Sequence, residues 1–184
     1  MTNVGNALDA REDTNVIART ERLSLRHFTL NDAPFVLRLL NDPSFLQYIG
    51  DRGVRTLEDA ENYLRCGPLA SYVANGHGLD AVVLHEGDIC IGMCGIVRRD
   101  TLPGPDLGYA FLPEYTGAGL AEEATRAALK HARDALHFSE MLAIVQPDNA
   151  ASIRLLHKLG FVESDTLQSL SADGSQLLGF ELKF

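Results

Sequence analysis

Residues 107 to 146 constrain the fold more than any other stretch. "LGYAFL" is a short apolar run that Pro113 ends. "PEYTGAGLAEEA" follows, with a glycine pair at Gly117 and Gly119. Leu120, Ala124, Ala127, Ala128 and Ala135 then fall at helical spacing, which predicts a helix to about His137. "MLAIVQ" is a second apolar run of strand length. Strand, glycine loop, helix and strand in that order form a β-α-β crossover.

The flanking segments fit around that unit. In "ERLSLRHF", Leu23 and Leu25 share one face and Arg22, Ser24 and Arg26 the other, so this is a half-buried strand. Thr29 with Asp32, and Thr56 with Asp59, stand at capping-box spacing ahead of helical stripes. Gly67-Pro68 is expected to stop the second of these helices. "DAVVLHEGDICIGMCGIVRR" reads as a hairpin turning at Glu86-Gly87-Asp88. "PDNAASIRLLHKLG" reads as a helix with Asp148 or Asn149 as N-cap and Gly160 as C-cap. Two strand-like runs, "FVESDTL" and "QLLGFELKF", close the chain around the turn "SADGS". Hairpin strands followed by a crossover imply a mixed α/β (α+β) fold, one sheet covered by helices. Residues 1–18 read as a polar tail and 19–184 as one domain.

A net charge of -9 argues against nonspecific nucleic-acid binding and suits a cationic substrate such as an amine. Cys90 and Cys94 lie four residues apart on one predicted strand, roughly 13 Å, too far for a disulfide. Unpaired thiols, no secretory signal and no membrane-length apolar run point to a reducing cytoplasm.

The glycine pair admits several readings. A Walker loop needs a lysine and a hydroxyl after its last glycine, where this chain has Leu120 and Ala121. A dinucleotide fingerprint needs a small residue where Glu122 stands. What remains is a glycine loop that aims backbone N–H groups and a helix dipole at an anion, or an ordinary turn into a helix.

"DLGYAFLPEYTGAGLAEEA" taken with "QPDNAASIRLLHKLGF" resembles the GNAT acetyltransferases, and within them the RimJ/RimL-like ribosomal-protein N-terminal acetyltransferases. "TERLSLRHFTLNDAPFVLRLLNDPSFLQYIG" is similar to the opening of that branch, so the resemblance spans roughly residues 20 to 184. It implies a central, mostly antiparallel twisted sheet of six or seven strands flanked by about four helices. The cofactor implied is acetyl-CoA, with no metal. The acceptor implied is a primary amine, on a peptide N-terminus or a small molecule, and the protein a monomer or homodimer. The family's phosphate loop falls on Thr116, Gly117, Ala118, Gly119, Leu120 and Ala121. Thr116 and Ala118 replace residues that are often cationic or amide-bearing, so the loop is expected to hold pyrophosphate almost wholly by backbone N–H groups. Phe111, Leu112 and Pro113 are expected to bind pantetheine, between strands that splay apart in this family.

Acetyl transfer from a thioester to an amine needs no enzyme nucleophile. It needs a neutral amine, donors for the oxyanion and a proton for the departing thiolate. The family's usual tyrosine donor is matched here by Leu156, and the resemblance moves the donor to Ser152. Ser152 also reads as a first-turn residue bonding its own backbone. Asn149 is expected to cap the helix and touch the cofactor. Asp106, ahead of Leu107-Gly108-Tyr109, is a candidate base through a water, or a solvated carboxylate; Glu114 is the alternative acid. Tyr109 reads as core or cleft wall, and His77 and His85 as surface or turn residues. Asp51, Glu58, Asp59 and Glu61 line an amine pocket or form a solvated helix face. The departures at Thr116, Ala118 and Leu156 keep open a second function, a catalytically weak acyl-CoA-binding or sensor protein.

Overall fold

The structure, a computed structural model, describes residues 15–165, 167, 169–171 and 174–184. Strand β1 (Val16–Arg19) pairs with β2 (Leu23–Arg26). The expected tail therefore ends earlier: Val16, Ile17 and Ala18 belong to the sheet, and residues 1–14 lie outside the described residues. The one-residue irregularity between Val16 and Ala18 in the pairing blurs the alternation that would have betrayed this strand.

Four helices follow: α1 (Ala33–Leu40), α2 (Pro43–Tyr48), α3 (Leu57–Leu64) and α4 (Ala70–Asn75). Both capping boxes form. Thr56 N–H donates to Asp59 Oδ2 at 2.9 Å while Asp59 N–H donates to Thr56 Oγ1 at 3.1 Å. Gly67-Pro68 does not stop the helix as the sequence predicts. Residues Arg65–Leu69 take one wide π turn, and the helix resumes as α4 until Gly76 at φ +74° ends it. A wide turn lets the chain pass Pro68, which has no N–H to donate to a regular helical ladder.

Strands β3 (Leu79–Leu84), β4 (Ile89–Arg98) and β5 (Pro105–Phe111) continue the sheet antiparallel. Helix α5 (Leu120–Asp134) carries the chain to β6 (Glu140–Val145), parallel to β5. Helix α6 (Ala150–Leu159) is followed by β7 (Val162–Glu163), β8 (Ser169–Leu170) and β9 (Gln176–Lys183). The sheet order is β1-β2-β3-β4-β5-β6-β9-β7, with β8 on β9. The sheet thus has more strands than the six or seven expected, because β1 lies in the expected tail and β7 and β8 are two-residue pairings. "FVESDTL" contributes only β7, and the "SADGS" turn lies partly outside the described residues.

Two cores fix the layers. Leu23, Leu25, Val82 and Ile96 meet Ala128, Leu129 and Ala132 of α5 and Leu156 and Leu159 of α6 on one sheet face. Ala81, Val83 and Met93 meet Val36, Leu39, Ala60 and Leu64 on the other. Among the described residues no helix is long and apolar enough to cross a membrane.

Candidate active site

Strands β5 and β6 pair at one position only, Asp106 with Leu142. Beyond it they diverge. The gap opens into a cleft of about 800 Å³ whose walls include Gly108, Tyr109 and Ala110 on one side and Ala143, Ile144 and Val145 on the other. The splay that the resemblance implied is present, and it leaves strand edges whose polar groups no neighbouring strand satisfies.

The glycine loop closes one end. Gly117 and Gly119 have φ +81° and +78°, a left-handed conformation that glycine adopts without a Cβ penalty. Gly119 is the N-cap of α5, so the amides of Leu120, Ala121 and Glu122 begin the helix without intrahelical acceptors. Thr116, Gly117, Gly119 and Ala121 line the cleft. Leu112 and Leu120 do not: their side chains are committed to the two cores, at 2% and 6% exposure. Pro113 opens a 3-10 turn and accepts the Thr116 hydroxyl at 2.7 Å, and neither Pro113 nor Ala118 lines the cleft. Phe111 does line it.

The two glutamates of the first turn of α5, Glu122 and Glu123, are both neutralised. Glu123 accepts from Thr20 Oγ1 at 2.6 Å, Arg22 N at 2.9 Å and Arg22 Nε at 2.7 Å. Glu122 pairs with Arg126 and Lys158. Arg22 also donates to the Ala118 carbonyl at 3.0 Å and so ties the loop to the β1–β2 corner. Arg154 and Lys158 of α6 line the cleft as well. The loop therefore has cationic neighbours that the local sequence does not announce, because they arrive from residues about 100 positions upstream and about 35 downstream on the chain. The fit to a pyrophosphate is good: free amides, room for close approach and nearby guanidinium and ammonium groups.

On the side of β5 facing α6, the Tyr109 and Ser152 hydroxyls lie 2.6 Å apart. Burial pushes the Tyr109 phenol up to about 12, with the Ser152 hydrogen bond opposing it, so it stays protonated near neutrality. Asn149 caps α6, accepting the Ser152 N–H at 3.1 Å. Ser152 thus bonds a tyrosine across the cleft wall, not its own helix, and Asn149 acts on it through the cap. Sequence reasoning took Tyr109 for core or cleft wall; the strand–helix distance that pairs it with Ser152 is invisible in either segment. Leu156 is buried in the core at 1% exposure.

Alternation along β5 sends Asp106 to the opposite face, toward α2 and α3. It is 1% exposed and accepts from Arg99 Nε at 3.1 and 3.0 Å. Burial raises its pKa, and the Arg99 guanidinium opposes that rise. Asp106 lines the cleft and is no solvated carboxylate. Glu114 turns outward to Arg38 of α1. His85 bonds Ser24 at 2.9 Å, and His77 meets the Ile96 carbonyl at 2.9 Å. Asp51 pairs with Arg55, Asp59 caps α3 and Glu61 pairs with Arg65; none of them, nor Glu58, lines the cleft.

Residues 22–162 match the acetyltransferase (GNAT) domain family. The chain belongs to the GNAT acetyltransferases. It is 26% identical over 160 residues to an uncharacterized N-acetyltransferase, p20, of Bacillus licheniformis, covering 86% of this chain and 89% of that one. An acetyltransferase from Agrobacterium tumefaciens superposes with a TM-score of 0.76 at 26% identity, over 91% of this chain and 94% of the other. The fold is shared with Mycobacterium smegmatis RimJ, solved with CoA-disulfide, at a TM-score of 0.69 and 22% identity over 88% and 81% of the two chains. The protein is an acetyltransferase of this family.

Proposed function

We propose that this acetyltransferase moves the acetyl group of acetyl-CoA directly onto a primary amine, on a peptide N-terminus or a small molecule, in a ternary complex. The single observation that carries the reading is the divergence of β5 and β6 into a cleft with an anion-binding loop at one end and the Tyr109–Ser152 hydroxyl pair in its wall. When bound, acetyl-CoA supplies the thioester: the amine nitrogen bonds to its carbonyl carbon, and the carbon–sulfur bond breaks. The amides of Gly117, Gly119, Ala121 and Glu122, with Arg154 and Lys158, would hold the pyrophosphate. The unpaired edges of β5 and β6 hold the pantetheine arm. Asp106 takes the proton that the amine loses, and its raised pKa makes it a stronger base than an exposed aspartate. Ser152 gives its hydroxyl proton to the thiolate and is reprotonated from solvent, while Asp106 releases to solvent the proton it took, so that no net proton is gained or lost by the protein. Tyr109, protonated and donating to Ser152 Oγ, keeps the serine proton turned to the cleft; it is a positioning residue.

The test is release of free CoA thiol with a panel of amines. Ser152→Ala should lower kcat about 100-fold, at the low end for a general acid. Tyr109→Phe should lower it about tenfold, the worth of one hydrogen bond. Tight CoA binding with no turnover on any amine would instead support the acyl-CoA sensor and refute the enzyme mechanism.

A further inference from the structure

We propose that the acceptor carries an anionic group, a carboxylate or a phosphate, beside its amine, and that Arg52 and Arg99 hold it. The inference rests on the acetyl-transfer reading above. The acceptor end of the cleft, walled by Phe45, Tyr48 and Tyr63, is lined by Arg52 and Arg99 against a single carboxylate, Asp106. It continues into a second cavity of about 460 Å³ that shares Arg52, Tyr63 and Arg99 and adds Arg98. Neither cavity contains another acidic lining residue at this end. Two guanidinium groups thus share the acceptor end with one carboxylate and a third lines the adjoining cavity, in a chain whose net charge is -9.

Their donors are free to bind. The side chains of Arg52 and Arg98 have no hydrogen-bond or ion-pair partner among the described residues. Arg99 spends only its Nε on Asp106, and its terminal nitrogens have no hydrogen-bond partner among the described residues. Arg52, Arg99 and the partly buried Tyr63 line both cavities together, which puts the two guanidinium groups at the same end of the cleft. The acids that would attract a polycation are held elsewhere by Arg55, Arg65 and the α3 cap. A cationic pocket repels a bare ammonium and favours its neutral form, the form that attacks. Binding then has to come from elsewhere on the acceptor, and guanidinium groups supply it best to carboxylate or phosphate.

The experiment measures both binding to the CoA-loaded protein by calorimetry and acetylation. Matched pairs are used: glycine against glycinamide, O-phosphoethanolamine against ethanolamine, and peptides with an acidic or a neutral second residue. Spermidine is the cationic control. The anionic member of at least one pair should bind and react at least tenfold better, and Arg52→Gln should bring that ratio toward one. Preference within the small-molecule pairs or within the peptide pair identifies the source of the anion. Acetylation of neutral or cationic amines with no tighter binding of anionic ones overturns this inference and leaves acetyl transfer standing. A ratio that Arg52→Gln leaves unchanged also overturns it. Selective binding of anionic amines with no acetylation supports the pocket and refutes the transfer reading.

Discussion

Replacing Gly117 separates strain in the loop from its grip on an anion. A Cβ built on Gly117 meets nothing within 4 Å, but the backbone is left-handed at φ +81°. Alanine there costs about 1–2 kcal/mol. With a urea dependence of about 2 kcal/mol per molar, the unfolding midpoint should fall by about 0.5–1 M. Asparagine tolerates the left-handed region better, so Gly117→Asn should lose less stability. Both side chains nonetheless intrude on the cleft that Gly117 lines. A hydrogen bond to a charged oxygen is worth about 1.5–3 kcal/mol, so displacing one amide should raise the Kd for CoA by about 10- to 100-fold. Calorimetric titration with CoA, and with acetyl-pantetheine as a ligand lacking the pyrophosphate, reads this directly. The variants should lose CoA affinity and keep that for acetyl-pantetheine. If either variant binds CoA within about twofold of wild type, or loses both ligands alike, the glycine loop is not the pyrophosphate cradle.

Asp106 gives a pH signature. Its folded pKa is raised, mainly by burial, so the folded state holds the proton more tightly than the unfolded chain. That contribution is fully present below the unfolded aspartate value and is lost as pH rises through the folded value. Urea midpoints measured upward from about pH 4 should therefore fall for wild type relative to Asp106→Asn; parallel curves would refute the shift. At Gly95 an added Cβ would stand 2.1 Å from the Gly78 carbonyl oxygen and 2.9 Å from Leu79 Cα, both backbone atoms. Gly95→Ala should force β3 from β4, breaking the Ile96 N–H bond to Gly78 O, and cost about 3 kcal/mol or more by urea unfolding.

The sequence by itself determined the elements whose cause is local. The crossover from Leu107 to Gln146, the Thr56–Asp59 box, the Asn149 cap and the left-handed glycines are set by side-chain period, capping chemistry and the missing Cβ. Local chemistry failed where a neighbour overrode it. Pro68 was absorbed into a π turn, and β1 was recruited by β2 from a stretch that looked like tail. The site divides the same way. Thr116 and Ala118 correctly showed a loop without its own cation, yet Arg22 and Lys158 reach the loop's two glutamates from other elements. Ser152 was legible as a motif position, but its Tyr109 partner exists only because the α6 cap and β5 meet at 2.6 Å. The charge of the acceptor end came out opposite to the composition. Asp51 pairs with Arg55 in the loop before α3, Asp59 caps α3 and Glu61 pairs with Arg65 one turn on, while Arg52 and Arg99 line the cleft. Net charge counts every ionised group equally; a pocket sees only those the fold turns inward, and that selection belongs to tertiary structure alone.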